Sequence, residues 1–188
     1  DFAAAFPHMT EGVPDQIRFA AEWANEQLGE ERLDWLRRLP AERRIRLEDT
    51  LVLVCHGSPG SQTSGFDKAL EPSVAFERIA RTDARVITCG HTHVPGVFVE
   101  PLDANARWQF YSPEEIDSTW TLNKRKTLVN VGAVGQPRDK NWRACYVTVD
   151  GWNVTFHRVE YDWQATRDKV YAIPDLIDFL GDRLGRGR

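Results

Sequence analysis

The sequence is poor in cysteine, has no apolar run long enough to span a bilayer and carries no excess of positive charge, and each shortage closes off a class of function. Its 188 residues include three cysteines, Cys55, Cys89 and Cys145. That is an odd number without paired zinc-knuckle spacing, so neither a disulfide scaffold nor a cysteine-based zinc module is expected. Buried, reduced thiols are the expectation, and they suit a reducing compartment, so the chain reads as cytoplasmic. No stretch approaches the roughly 20 apolar residues of a bilayer-crossing helix, and no signal peptide is visible. A net charge of −4 argues against nucleic acid as a general partner, which would call for a broad basic surface.

What is present is globular: 41% hydrophobic and 28% charged residues, enough chain for one domain with a sizeable core over residues 1–188. The elements alternate. "PDQIRFAAEWANEQL" places Ile17, Phe19, Ala20, Trp23, Ala24 and Leu28 at near-helical spacing behind Pro14, and "EERLDWLRRLP" makes a second helix stopped by Pro40. "RIRLEDTLVLVC" reads as an alternating strand leading into a buried one. A helix from about Pro72 to Arg81 then precedes the apolar run before Gly90, which gives a strand–helix–strand crossover unit. Residues 102–126 read as a hairpin or a surface loop. "ACYVTVDGWNVTFHRVEYD" is two strands joined across Asp150 and Gly151, and the tail is two short helices separated by Pro174. The fold class is α/β.

Three loops carry the chemistry. "VITCGHTHVPG" places His91 and His93 just past an apolar, β-branched run, and in extended backbone residues two apart project to one side, so the pair aims at one point. "TLVLVCHGSPGS" repeats the grammar with His56. In open α/β sheets the carboxyl edge of the strands is where ligands bind. Neutral imidazole suits zinc, iron, nickel and copper, and three convergent histidines can hold one ion. Two ions about 3.5–4 Å apart would need bridging oxygen ligands as well. A single mononuclear three-histidine site for a hydrolase or lyase is therefore open on these residues. His157 belongs to a strand alternation and His8 to a proline-flanked segment, and neither reads as a ligand.

The third loop is "TLVNVGAVGQPRD". Its glycines permit close backbone approach to a ligand, and Arg138 can add a charge-assisted bond to a phosphate. A tight structural turn is the alternative.

Taken in order, "CHGSP", "GHTH" and "NVGAVGQPRD" resemble the C-terminal motifs of the calcineurin-like metallophosphoesterase superfamily, particularly its small bacterial phosphoesterase branch. Residues Ile17 to Pro40 are similar to the helical stretch that follows that branch's Gly-Asn-His-Asp motif, so the resemblance runs from about Asp1 to about Asp162. It implies two stacked mixed β-sheets flanked by helices. It implies two divalent transition metal ions (manganese, iron, zinc or nickel) and hydrolysis of a small phosphate ester, with phosphodiesterase or phosphatase activity. By position, His56 and His91 resemble ligands of the second metal and His93 a ligand of the first; Arg138 is read from its own loop as the substrate-binding residue. The family's Asp-x-His, Gly-Asp-x-x-Asp and Gly-Asn-His-Asp motifs are not in the sequence. The resemblance thus implies a chain that begins in the middle of the enzyme, with Asp1 matching the last letter of Gly-Asn-His-Asp and the catalytic histidine upstream. A noncatalytic interaction module on the same fold is a further alternative.

Overall fold

The computed structural model describes residues 15–47, 49–61, 65, 72–103 and 108–188; Asp1, His8 and Pro14 lie outside them. The chain divides into two units, one helical, up to Pro40 and again over Asp162–Gly185, and one built on β-sheet, over Ala41–Tyr161 with Arg186–Arg188.

In the helical unit, α1 (Asp15–Arg37) breaks its regular geometry at Gly29, where φ is 70° and ψ 162°. Only glycine reaches that backbone region without strain. The break falls between the two helices that the apolar spacing predicts. Among its described side chains, Ala21 and Leu33 are buried. After the domain's last strand, α3 (Trp163–Tyr171) begins at Asp162, whose carboxylate accepts from the amide of Ala165 at 2.9 Å. That cap satisfies one of the helix's orphan N–H groups. Pro174 separates α3 from the short α4 (Phe179–Asp182), as the sequence predicts.

Among the described residues, the sheet unit holds nine strands in two sheets. The larger has the order β1 (Glu42–Leu47), β2 (Thr50–Cys55), β3 (Val86–Cys89), β7 (Thr127–Asn130), β4 (Gly96–Val99), β5 (Gln109–Tyr111). Its centre is parallel, β2 with β3 and β3 with β7, and its flanks are antiparallel. Central parallel strands are covered on both faces and so read as unbroken apolar runs. Leu53, Ile87 and Leu128 point to one face, under Ile79 of α2 (Pro72–Ile79). Val52, Val86 and Val129 point to the other, against Val154 and Phe156 of the second sheet. At the edge, β1 carries Arg43, Arg44 and Arg46, charges that discourage further strand pairing. The second sheet is antiparallel, β6 (Thr119–Thr121), β9 (Asn153–Val159), β8 (Ala144–Asp150), and because Asp150 pairs with Asn153 the turn between β8 and β9 is Gly151 and Trp152, one residue beyond the expected Asp150 and Gly151.

The described residues of 102–126 form neither a hairpin of their own nor a plain loop. Among the described residues, β5 joins the large sheet and β6 the small one. Between them a single 3-10 turn, Pro113–Ile116, is closed by the side chain of Glu115 on the amide of Ser112 at 2.7 Å. Asp117 and Ser118 then adopt positive φ and turn the chain from one sheet to the other. Tyr111 and Trp120, stacked with centroids 5.4 Å apart, fasten that step.

This topology places the carboxyl ends of β2, β3 and β7 side by side. The pairing Cys89 with Asn130 fixes the register of the last two. Backbone bonds continue past the strand ends, from the amide of Gly90 to the carbonyl of His56 at 2.8 Å and from Val131 to Cys89 at 2.8 Å. Three loops therefore leave one edge in a fixed order.

Candidate metal centre

His56 follows β2 directly and His91 follows β3 after one glycine. His91 Nδ1 stands 3.2 Å from His56 Nε2, with the rings nearly perpendicular at 81°. Two neutral imidazoles can share one proton at that distance. The same distance suits one metal ion, because two nitrogens at zinc-bonding length and a tetrahedral angle stand about 3.3 Å apart. His56 is exposed at the rim of the sheet edge, and partial desolvation of its imidazole shifts the pKa below the ordinary value. That favours the neutral ring, the form that ligates.

His93 is held differently. Its Nδ1 lies 2.7 Å from the carbonyl oxygen of Gln136, and since a carbonyl only accepts, Nδ1 carries the proton and Nε2 the lone pair. A ring nitrogen bonded to a backbone carbonyl is the usual way a metal-binding histidine is oriented. The carbonyl of His93 in turn accepts from the amide of Arg138 at 3.1 Å. The structure thus brings His56 and His91 into contact and places His93 against the loop after β7. Among the described residues, no group of three or more histidines, cysteines or carboxylates is assembled for a metal.

The route by which the histidines reach these places differs from an extended strand. β3 stops at Cys89, and the amide of Thr92 bonds the carbonyl of Gly90 at 2.8 Å across His91, whose φ is 66°. This is a γ-turn of the rare, strained hand. His93 also has positive φ, 61°. Each such non-glycine residue costs about 1 kcal/mol or more. The two imidazoles are aimed by turns and not by the two-residue repeat of a strand.

Arg138 contributes its backbone to this cluster, and its side chain is exposed. The next residue, Asp139, is bonded by Arg158 of β9, which also stands 3.9 Å from Glu114. That pair, only 15% and 12% exposed, fixes the far end of the loop. At the near end Gly132 (φ 78°) passes so close to Cys145 and Pro95 that a Cβ would fall 2.9 Å from Cys145 Sγ. The glycine is required by both backbone and space.

The cysteines stay out of the chemistry. All three are free thiols. Cys89 and Cys145 are 2% exposed, and burial pushes Cys55 and Cys145 up to about 11 and Cys89 well above its ordinary value. Cys55 Sγ faces the carbonyl of Thr88 at 3.8 Å. Protonated thiols are poor ligands. His157 lies on the surface of β9, bonded to Thr148 Oγ1 at 2.7 Å and stacked on Tyr146.

Asn130, which sequence reasoning passed over, ends β7 at the centre of these loops and is 0% exposed. Its Nδ2 bonds Gly90 O at 3.1 Å and Thr92 Oγ1 at 2.7 Å, and its Oδ1 accepts from the amide of Gly132 at 3.0 Å. The available signal was a polar amide closing an apolar run just before a glycine turn.

The family model for the calcineurin-like phosphoesterase superfamily domain matches residues 10–151. A crystal structure of a metallophosphoesterase from Sphaerobacter thermophilus is 30% identical with a TM-score of 0.76, over 100% of this chain and 74% of that one. The structure of a hypothetical protein from Pyrococcus horikoshii, at 18% identity, shares the fold with a TM-score of 0.71, over 98% of this chain and 69% of that one. An uncharacterized protein of Methanocaldococcus jannaschii is 28% identical over 171 residues. The match takes in 88% of this chain and spans 64% of the length of that relative.

Proposed function

The chain belongs to the calcineurin-like phosphoesterase superfamily, and from that premise we propose that it serves the metal-dependent hydrolysis of a small phosphate ester. The observation that carries the reading is the 3.2 Å approach of His56 Nε2 and His91 Nδ1 at the carboxyl edge of neighbouring parallel strands. Donor type and separation both suit a divalent transition ion, such as manganese, iron, zinc or nickel.

In this reading His56 and His91 would hold one ion and His93 a second, in a dinuclear site whose oxygen ligands would come from the family's acidic motifs, which are not among these 188 residues. Bound divalent ions supply Lewis acidity toward phosphoryl oxygens and lower the pKa of water. The chain's own residues do the placing. Gln136 keeps the His93 tautomer with its lone pair on Nε2. Partial desolvation of His56 lowers its pKa and so favours the neutral ring. Arg138, on a loop tied to His93, is within the same cluster and offers a guanidinium to the phosphate. The separate holding of His93 supports two positions over a single three-histidine site.

The experiment is metal-stripping followed by reconstitution. In the full-length protein, manganese should restore hydrolysis of bis-para-nitrophenyl phosphate, and about two ions per full-length chain should be retained. A single ion with full activity would favour a mononuclear hydrolase. Inactivity of the metal-loaded, full-length protein on both diesters and monoesters would replace the reading with an interaction module on the same fold.

A further inference from the structure

We propose that Asn130 is the positioning residue of the metal centre: its side chain clamps both ends of the strained turn that carries His91 and so sets the approach of His91 to His56. The proposal rests on the metal reading for the consequence and on hydrogen-bond geometry for the clamp.

The orientation of the amide is fixed by its partners. The amide of Gly132 can only donate, so Oδ1 faces it, and the carbonyl of Gly90 can only accept, so Nδ2 faces that. A flipped side chain would set like against like at both places. A side chain whose task was only to close β7 would need Gly132 alone. Instead Asn130 spends both Nδ2 protons on the residues immediately before and after His91. Gly90 O therefore accepts twice, from Thr92 N inside the turn and from Asn130 Nδ2 outside it. The turn is strained at His91, where φ is 66°, and such backbone persists only where surrounding structure over-determines it. Asn130 is rigid enough to do so. It is fully buried and its backbone is paired on both sides, to Cys89 of β3 and Gly96 of β4.

Released from the clamp, the turn relaxes and His91 swings away from His56. Two variants separate positioning from simple structural support. Thr92→Val removes one acceptor while keeping side-chain shape, and Asn130→Asp keeps shape while removing both donors. The first readout is made on the metal-free protein, from imidazole ¹⁵N resonances, in which the contact between His56 and His91 has its own signature. The second is affinity for zinc. We expect both variants to lose the His56–His91 signature and to bind zinc at least ~10-fold more weakly, with a smaller fall in thermal midpoint for Thr92→Val, which leaves one buried Nδ2 proton unpaired, than for Asn130→Asp. Unchanged His91 resonances in Thr92→Val overturn the proposal, whether or not Asn130→Asp folds. So does a loss of thermal stability in Asn130→Asp with zinc affinity intact. If the unaltered protein binds no zinc, the phosphoesterase reading fails, and the ¹⁵N measurement still decides the clamp.

Discussion

The backbone amide of Arg138 donates to the carbonyl of His93 across 3.1 Å, so the loop that carries the cation is tied to the turn that carries the imidazole. That bond fixes the backbone from which the exposed Arg138 side chain departs, and in the proposed reading this side chain serves the phosphate and not the metal.

Replacing Arg138 with alanine should therefore lower kcat/KM for a phosphodiester by about 1–3 kcal/mol, the worth of a charge-assisted hydrogen bond, and leave metal content as it was. Steady-state kinetics beside metal analysis checks both halves. Equal rates in the variant and the parent would take Arg138 out of the mechanism.

His56→Ala and His91→Ala should each reduce bound metal by more than the roughly 10–100-fold that follows loss of an outer partner, because each removes a nitrogen ligand outright. His157→Ala should leave metal content unchanged, since that ring is engaged with Thr148 and Tyr146 on a strand surface. Elemental analysis after dialysis gives the answer, and a fully loaded His91→Ala protein would defeat the assignment.

The thiols yield a prediction about alkali. Cys145 sits near 11 in the folded chain against an ordinary 9.0, raised first by burial. A folded pKa above the unfolded one means that the stabilisation is complete below about pH 9 and is lost as pH rises toward 11. Denaturant midpoints should fall over that window, and less so in Cys145→Ala. At pH 8 the folded thiol should also expose ~100-fold less thiolate to an alkylating reagent than the unfolded one, which a mass-spectrometric time course would reveal.

Ile87→Ala should cost about 2–5 kcal/mol in unfolding free energy, the usual range for emptying a fully buried aliphatic site. Ile87 is 0% exposed in the central parallel strand. Val134→Ala, at a site 65% exposed, should stay within about 0.5 kcal/mol. Urea titrations of the two side by side would show the contrast, and similar losses would mean that the sheet centre is misread.

Much of the architecture was legible because burial on both faces writes itself as unbroken apolar runs. "TLVLVC", "RVITC" and "TLVNV" each became a central strand, and Gly29 and Pro174 punctuate helices where the spacing placed a boundary. The candidate residues His56, His91, His93 and Arg138 could be picked out because each follows such a run. Their geometry could not. The fate of Gly-His-Thr-His depends on a turn closed from outside, by an asparagine 38 residues away in sequence from Thr92, and nothing in the local pattern encodes a bond of that range. Residues 102–126 escaped for a similar reason. Their short strands belong to different sheets, and alternation reports which side a residue faces but not which sheet it joins.

The positive φ of His91 and His93 has a consequence for how the sequence can drift. Glycine or asparagine at either position would relieve the backbone, so selection for thermal endurance alone should discard these two imidazoles early. Selection that also requires the centre should keep them, at a standing loss of stability. A library randomised at positions 91 and 93 and sorted first by heat, then by metal retention, should split into two populations, and histidine should return only in the second.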